Sequence, residues 1–327
     1  MKKGYERIFL ILVFTLCLVA ATSMNVAADK VANPELLIHN GSGAYHRTGN
    51  LTDTADGWGY DVTEVKSVNE SILKNADILI LNANDGLFEN ESDWIVEWWE
   101  AGYSKTVWVA GDSDYGGYFN YDPLNELLVT LGGHMILQDD AISDPESNDE
   151  AAYRVISNVT NSEYDDNLTK GINLVVTHSP CPVAPYDGGV NGKGDFVTWD
   201  SLTNADWLLN TSPAAQILDQ DFDDDDVWEG YAPLSNGSVT TLGIEWGLGP
   251  EDLSKIIVSG EAIYSDGEEM FSDKSENAKI DIDTIPFVKA LLEWGTPEAK
   301  PGAAPGFTVV PFFLALAFVA VIVRKRR

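Results

Sequence analysis

Four short apolar runs set the rhythm of this chain. ELLIHN at 35–40, DILILN at 77–82, TVWVAG at 106–111 and SKIIVSG at 254–260 each stop at polar or glycine residues. Runs of this length and composition mark strands buried on both faces. GYDVTEV at 59–65 alternates instead, like a half-covered strand. Helical spacing separates them. SVNESILKNA at 67–76 predicts a short helix, with Ser67 placed to cap it and Glu70 three residues on. In ESDWIVEWWEAG at 91–102, Trp94 with Trp98 and Ile95 with Trp99 share a core face. Glu91, Glu97 and Glu100 are expected in water, and Gly102 closes the helix. DPLNELLVTLGG at 122–133 predicts the next helix. Strand and helix in alternation imply an α/β fold with a doubly wound, mostly parallel sheet of the flavodoxin-like kind.

The stretch 134–250 is less regular. GINLVVTHSPCPVAP predicts a strand and a proline-rich turn, ADWLLNTSPAAQIL a strand, a loop and a second strand, and VTTLGIEWG a further strand. DIDTIPFVKALLEWG at 281–295 is a final amphipathic helix with Phe287, Leu291 and Trp294 on one side. No internal repeat is present.

The two ends obey other rules. Lys2, Lys3 and Arg7 precede an apolar run from Ile8 to Ala21, and small residues around Ala28 follow. This is the layout of a secretory signal peptide over 1–28, removed by signal peptidase. At the other end Phe307–Val323 carries no charge and is followed at once by Arg324, Lys325, Arg326 and Arg327. A helix of that length spans roughly 25 Å, slightly short for a bilayer, and its basic end marks the cytoplasmic side. Pro305, Gly306 and Phe307, then an apolar helix, then a basic cluster resemble the archaeal PGF-CTERM sorting signal. The resemblance implies that an archaeosortase removes the tail, 306–327, and that a lipid anchor replaces it. A plain transmembrane helix is the alternative, and either leaves the body on the outer face of the membrane. Residues 296–305, rich in proline, glycine and alanine, form a stalk beneath the 29–295 domain.

The formal net charge is −32, and losing both basic ends leaves the body more acidic still. Such a surface repels nucleic acid and anionic lipid. Outside the signal segment, which contains Cys17, Cys181 is the only cysteine, so no intramolecular disulfide holds the body. Asn-X-Ser/Thr sequons occur at Asn40, Asn50, Asn69, Asn90, Asn158, Asn167, Asn210 and Asn236, a density that suits a glycosylated, exported protein.

A second resemblance rests on the order of LLIHNGSGAY, GYDVTEV, ADILILN, WWEAGYSKTVWVAGDSDYGG and LNELLVTLGG, with the ending from KIIVSGEAIYSDG to FVKALLEWG. Together these resemble the class I glutamine amidotransferase-like superfamily. The nearest branch is its non-enzymatic members, the DUF4350-type proteins and auxiliary domains of ABC transport systems. That resemblance implies a transporter component or another envelope protein as partner. In the catalytic members a cysteine stands on an elbow after a strand, with a histidine and a carboxylate late in the chain. Here Ser113 holds the elbow position, Tyr115 replaces the elbow's second glycine, no histidine follows His178, and GIEW at 243–246 places none beside Glu245.

A nucleophile without a base is weak at neutral pH. Ser113 therefore reads as part of a loop, and Asp112 and Asp114 beside it disfavour an oxyanion. Cys181, three residues from His178 and flanked by prolines, is the other nucleophile candidate, against a plain buried turn. No zinc-like histidine spacing exists. Asp219, Asp221, Asp223 and Asp225 alternate in DQDFDDDD and offer oxygens to Ca²⁺, or form a solvated acidic loop. Asp112, Asp114, Tyr115 and Tyr118 could line a ligand-binding rim at a strand end. No other cofactor is implied. The reading is a surface-anchored, non-catalytic binding domain. An extracytoplasmic hydrolase using Ser113 or Cys181 and a structural cell-coat glycoprotein are the alternatives.

Overall fold

The computed structural model describes residues 30–40, 48–83, 87, 90–113, 121–160, 162, 164–189, 194–218, 234–267 and 270–300. Outside them lie the signal segment, the tail with Pro305, Gly306 and Phe307, the rim residues Asp114, Tyr115 and Tyr118, and Asp219, Asp221, Asp223 and Asp225. Val31–Pro297 forms one compact unit; Met1–Lys30 and Glu298–Arg327 group separately. Among the described residues no helix is long and apolar enough to cross a membrane.

The apolar runs become strands β1 (Glu35–His39), β3 (Ile78–Asn82), β4 (Thr106–Ala110) and β13 (Ser254–Ser259). With β2 (Asp61–Val65) they form the parallel half of a nine-stranded sheet, in the order β2-β1-β3-β4-β13. Beyond β13 the sheet turns antiparallel through β12 (Thr240–Leu248), β10 (Ala205–Asn210), β7 (Ile156–Val159) and β8 (Leu174–Val176). The sheet is thus mixed and not mostly parallel. The reversal falls between β12 and β13, which a short turn at Gly249 joins, with φ at +72° and no need of a crossover helix.

Both faces of the parallel half are covered. Leu36, Ile38, Ile80, Trp108 and Ile257 face α1 (Gly49–Gly57) and α6 (Thr284–Gly295). Leu37, Leu79, Val107, Val109 and Val258 face α2 (Glu70–Leu73), α3 (Glu91–Ala101) and α4 (Asp122–Thr130). Side chains alternate between these layers along each strand, so the middles of β1, β3, β4 and β13 are apolar on both faces, and polar residues such as Glu35, His39, Asn82, Thr106 and Ser259 sit at the strand ends. The fully buried Phe287 of α6 contributes about 1.5–3 kcal/mol by its transfer from water.

Helix α1 has no strong apolar pattern, because only Leu51 and Ala55 are buried. Asn69, not Ser67, caps α2, its Oδ1 accepting from Ile72 N at 3.1 Å. Glu91 is buried, not solvated. It accepts from Val68 N at 2.7 Å and stands 3.5 Å from His39 Nε2. The first turn of α3 points back at the carboxyl ends of β1 and β2, and that contact overrides its charge.

Two small pairs complete the described strands. β5 (Met135–Leu137) pairs with β9 (Val183–Pro185), and β6 (Ala141–Ser143) with β11 (Gln216–Leu218). The β5–β9 pair continues as Gln138 N donates to Pro182 O and Ile142 N to Pro180 O. The segment 180–182 is thereby laid over the carboxyl ends of β4 and β13, where Cys181 N donates to Gly260 O.

Candidate functional site

Two adjacent parallel strands end alike. β4 leads into Gly111-Asp112 and β13 into Gly260-Glu261, and the register pairs Ala110 with Ser259. Each glycine is required by close approach. A Cβ on Gly260 would lie 1.8 Å from Cys181 O, and one on Gly111 would lie 2.5 Å from Cys181 Sγ. Leu137 on β5 closes the same space from the side, 3.0 Å from that second Cβ.

The carboxyls of Asp112 and Glu261 therefore meet under a lid. Burial pushes the Glu261 carboxyl well above the usual range, and the Asp112 charge and its hydrogen bond add to this. Ala262 N donates to Glu261 Oε1 at 2.9 Å and pulls weakly the other way. Burial and the neighbouring Asp112 charge both favour the protonated form of Glu261, and the two carboxyls are coupled.

Cys181 is fully buried, and its thiol is pushed well up, first by burial and then by Asp112. Tyr121 is in hydrogen-bond contact with that thiol and donates its hydroxyl to Asp112 O. Burial likewise pushes the Tyr121 phenol well up. Ser113 is buried, and its backbone N donates to Asp112 Oδ1 at 2.7 Å. The structure thus gathers Asp112, Ser113 and Cys181 at one strand edge, together with Tyr121, at the end of the expected tyrosine-bearing loop, and Glu261, which no motif in the sequence marked.

No described imidazole bonds to Ser113 or Cys181. His178 packs edge-on against Tyr153, ring centroids 5.2 Å apart. His134 is held elsewhere. Its Nδ1 lies 2.7 Å from Glu245 Oε1, and its backbone N donates to Glu245 Oε2 at 2.8 Å. The hydrogen bond to Glu245 raises the His134 pKa above 6.5, against a smaller loss from burial. A histidine does stand beside the GIEW carboxylate, then, but it comes from more than a hundred residues upstream. His134 immediately precedes β5, whereas Leu137 at the far end of β5 approaches the Gly111 region. Three residue steps along the extended chain place the backbones of His134 and Leu137 roughly 10 Å apart. Among the described residues, no group of three or more His, Cys, Asp and Glu could hold a metal ion.

No family model and no curated protein matches this sequence. Among solved structures, the mmIFT52 N-terminal domain is similar at 12% identity and a TM-score of 0.53, over 80% of this chain and 97% of that one. A putative ThuA-like protein from Bacteroides uniformis is 14% identical over 82% of this chain and 91% of that one, with a TM-score of 0.40. At these identities the first likeness is one of fold alone. What fold and site define together is an α/β domain with a mixed sheet and a lidded acidic strand edge.

Proposed function

We propose that this chain is a cell-surface-anchored, non-catalytic binding domain of the amidotransferase-like kind. It acts on an envelope protein or a small ligand at the carboxyl edge of its parallel strands. The strand order β2-β1-β3-β4-β13 supports the wound, flavodoxin-like reading of that half, in which ligands meet the carboxyl ends of the strands. The signal and tail motifs support export and anchoring.

One observation carries the non-catalytic reading. The nucleophile candidates and the described histidine–carboxylate pair occupy different places. Cys181 and Ser113 lie among carboxylates, where a thiolate or an oxyanion is disfavoured, and His134 spends its Nδ1 on Glu245. Losing an activated nucleophile or its base costs orders of magnitude in rate. Ca²⁺ at Asp219, Asp221, Asp223 and Asp225 is a secondary proposal. It predicts a higher melting temperature in millimolar Ca²⁺ than in Mg²⁺ at equal ionic strength.

The full-length protein should be assayed against glutamine, ester and peptide substrates. Silence in each assay, with residues 112–121 gaining exchange protection from an envelope extract, is expected. Turnover that disappears in Ser113→Ala or Cys181→Ala, but survives in a distant surface variant, would replace this reading with the hydrolase.

A further inference from the structure

Eight sequons are scattered along the sequence, but the fold brings several of them to one edge. Asn40 directly follows β1, Asn69 comes four residues after β2, and Asn90 immediately precedes α3, which returns from β3. Asn50 sits in the first turn of α1, which returns from β1. In a parallel sheet these handovers all lie at the carboxyl edge, and the order β2-β1-β3 makes them neighbours. Side chains pin them together. Glu91 accepts from Val68 N and stands against His39, so the residues flanking Asn69, Asn90 and Asn40 are in mutual contact. Thr52, the sequon hydroxyl of Asn50, donates to Glu64 Oε1 on β2 at 2.8 Å.

The carboxamides at this edge face two ways. Asn90 is exposed, with φ at +75°, and Ser92 is half-buried. Asn69 is half-buried. Its Oδ1 is used on Ile72 N, which leaves Nδ2 unengaged, and Ser71 is exposed. Asn50 is exposed, but its threonine is engaged with Thr48 O and Glu64. Asn40 turns inward: its Oδ1 is buried and its Nδ2 donates to Thr48 Oγ1 at 3.5 Å. Asn210, on β10, is buried with both ends bonded. Its Nδ2 donates to Thr160 Oγ1 at 2.6 Å and its Oδ1 accepts from Thr240 Oγ1 at 3.1 Å.

We propose that Asn90 and Asn69, and to a lesser extent Asn50, carry N-linked glycans. These form one carbohydrate rim over the β2-β1-β3 part of the carboxyl edge, while Asn40 and Asn210 stay bare. The donor is an oligosaccharide joined to a polyisoprenyl phosphate. A bond forms from Asn Nδ2 to the sugar C1, the C1–O bond to the lipid phosphate breaks, the phosphate leaves with that electron pair, and the amide proton passes to a base. The rim leaves the adjoining β4–β13 end, where the segment 180–182 lies over Asp112 and Glu261, free of carbohydrate.

The inference rests on the export reading, so both are read in one experiment. The full-length gene product is purified from its native membrane fraction, its intact mass is measured and its glycopeptides are mapped. Glycan at Asn69 and Asn90 exceeding that at Asn50, with none at Asn40 or Asn210, is the expected result. A chain that has lost its signal segment but is bare at Asn69 and Asn90 overturns the rim alone. A bare chain that retains Met1 overturns export and the rim together. Glycan at Asn40 or Asn210 equal to that at Asn90 also overturns it. The variants Ser71→Ala and Ser92→Ala remove two sequons without touching the asparagines. They should speed tryptic cleavage after the exposed Lys66 and Lys74 in the folded protein, and unchanged cleavage rules out shielding.

Discussion

Glu245 and Glu261 are almost equally buried, at 3% and 2% exposure, and lie on or just past neighbouring strands, yet they meet opposite company. Glu245 receives an imidazole and a backbone N–H from His134. Glu261 receives another carboxyl, which adds to the effect of burial in raising its pKa. The first site holds a base and its orienting acid without a described nucleophile. The second holds two nucleophile candidates without a described base. Acyl-transfer chemistry needs these parts within hydrogen-bond reach of one another. The comparison teaches that having the parts in one chain is not the same as having them in one place.

The comparison breaks most readily at the strand-end glycines. Gly260→Ala drives a Cβ into the backbone of Cys181, which cannot swing aside. It should cost about 3 kcal/mol or more in urea unfolding. Gly111→Ala meets the Cys181 sulfur first, at 2.5 Å, then the end of the Leu137 side chain at 3.0 Å, and should cost about 1–3 kcal/mol. Adding Cys181→Ala to it should recover part of that loss, and a double-mutant cycle measures how much. Strict additivity would show that the thiol is not the obstacle.

The two glutamates then separate by pH. The folded pKa of Glu261 is raised above its ordinary 4.5, so its share of stability is complete below that pH and is lost as pH rises toward the folded value. Glu261→Gln keeps a donor for Asp112, should unfold later than the parent at pH 8, and should flatten the profile. The His134 pair has a different window. Its folded pKa is raised above 6.5, so its contribution is complete below pH 6.5 and is lost as pH climbs through the folded value. Glu245→Gln should cost about 1 kcal/mol at pH 6, a small figure because the imidazole is 43% exposed, and less at pH 8. A parent and variant that lose stability in parallel across these windows would assign the pH dependence elsewhere.

Much of the fold was legible. The four apolar runs became parallel strands within a residue of their expected limits, and Phe287, Leu291 and Trp294 are the buried face of α6. Helix α1 was hidden because two buried residues make no periodicity. In the antiparallel half, β8, β10 and β12 fall within stretches expected to be strands, whereas β7, with four residues, is too short to show a period, and the reversal of direction depends on pairing that no local pattern carries. At the site, the matching ends VAGD and VSGE carried a readable signal: adjacent parallel strands in register place Asp112 beside Glu261. The His134–Glu245 pair left no local trace, because it depends on how β5 packs across β12. Glu91 was misjudged since helix position alone cannot show that His39 and Val68 wait on its polar side.

The separation of nucleophile from base is tested most directly by the alkylation rate of Cys181 in the native full-length protein as a function of pH, followed by peptide mass. Cys181 should stay unlabelled by iodoacetamide from pH 6 to 9 and react only when denaturant opens the lid over β4 and β13, with no change in His134→Ala. Rapid native labelling near pH 7 that His134→Ala or His178→Ala abolishes would contradict the account.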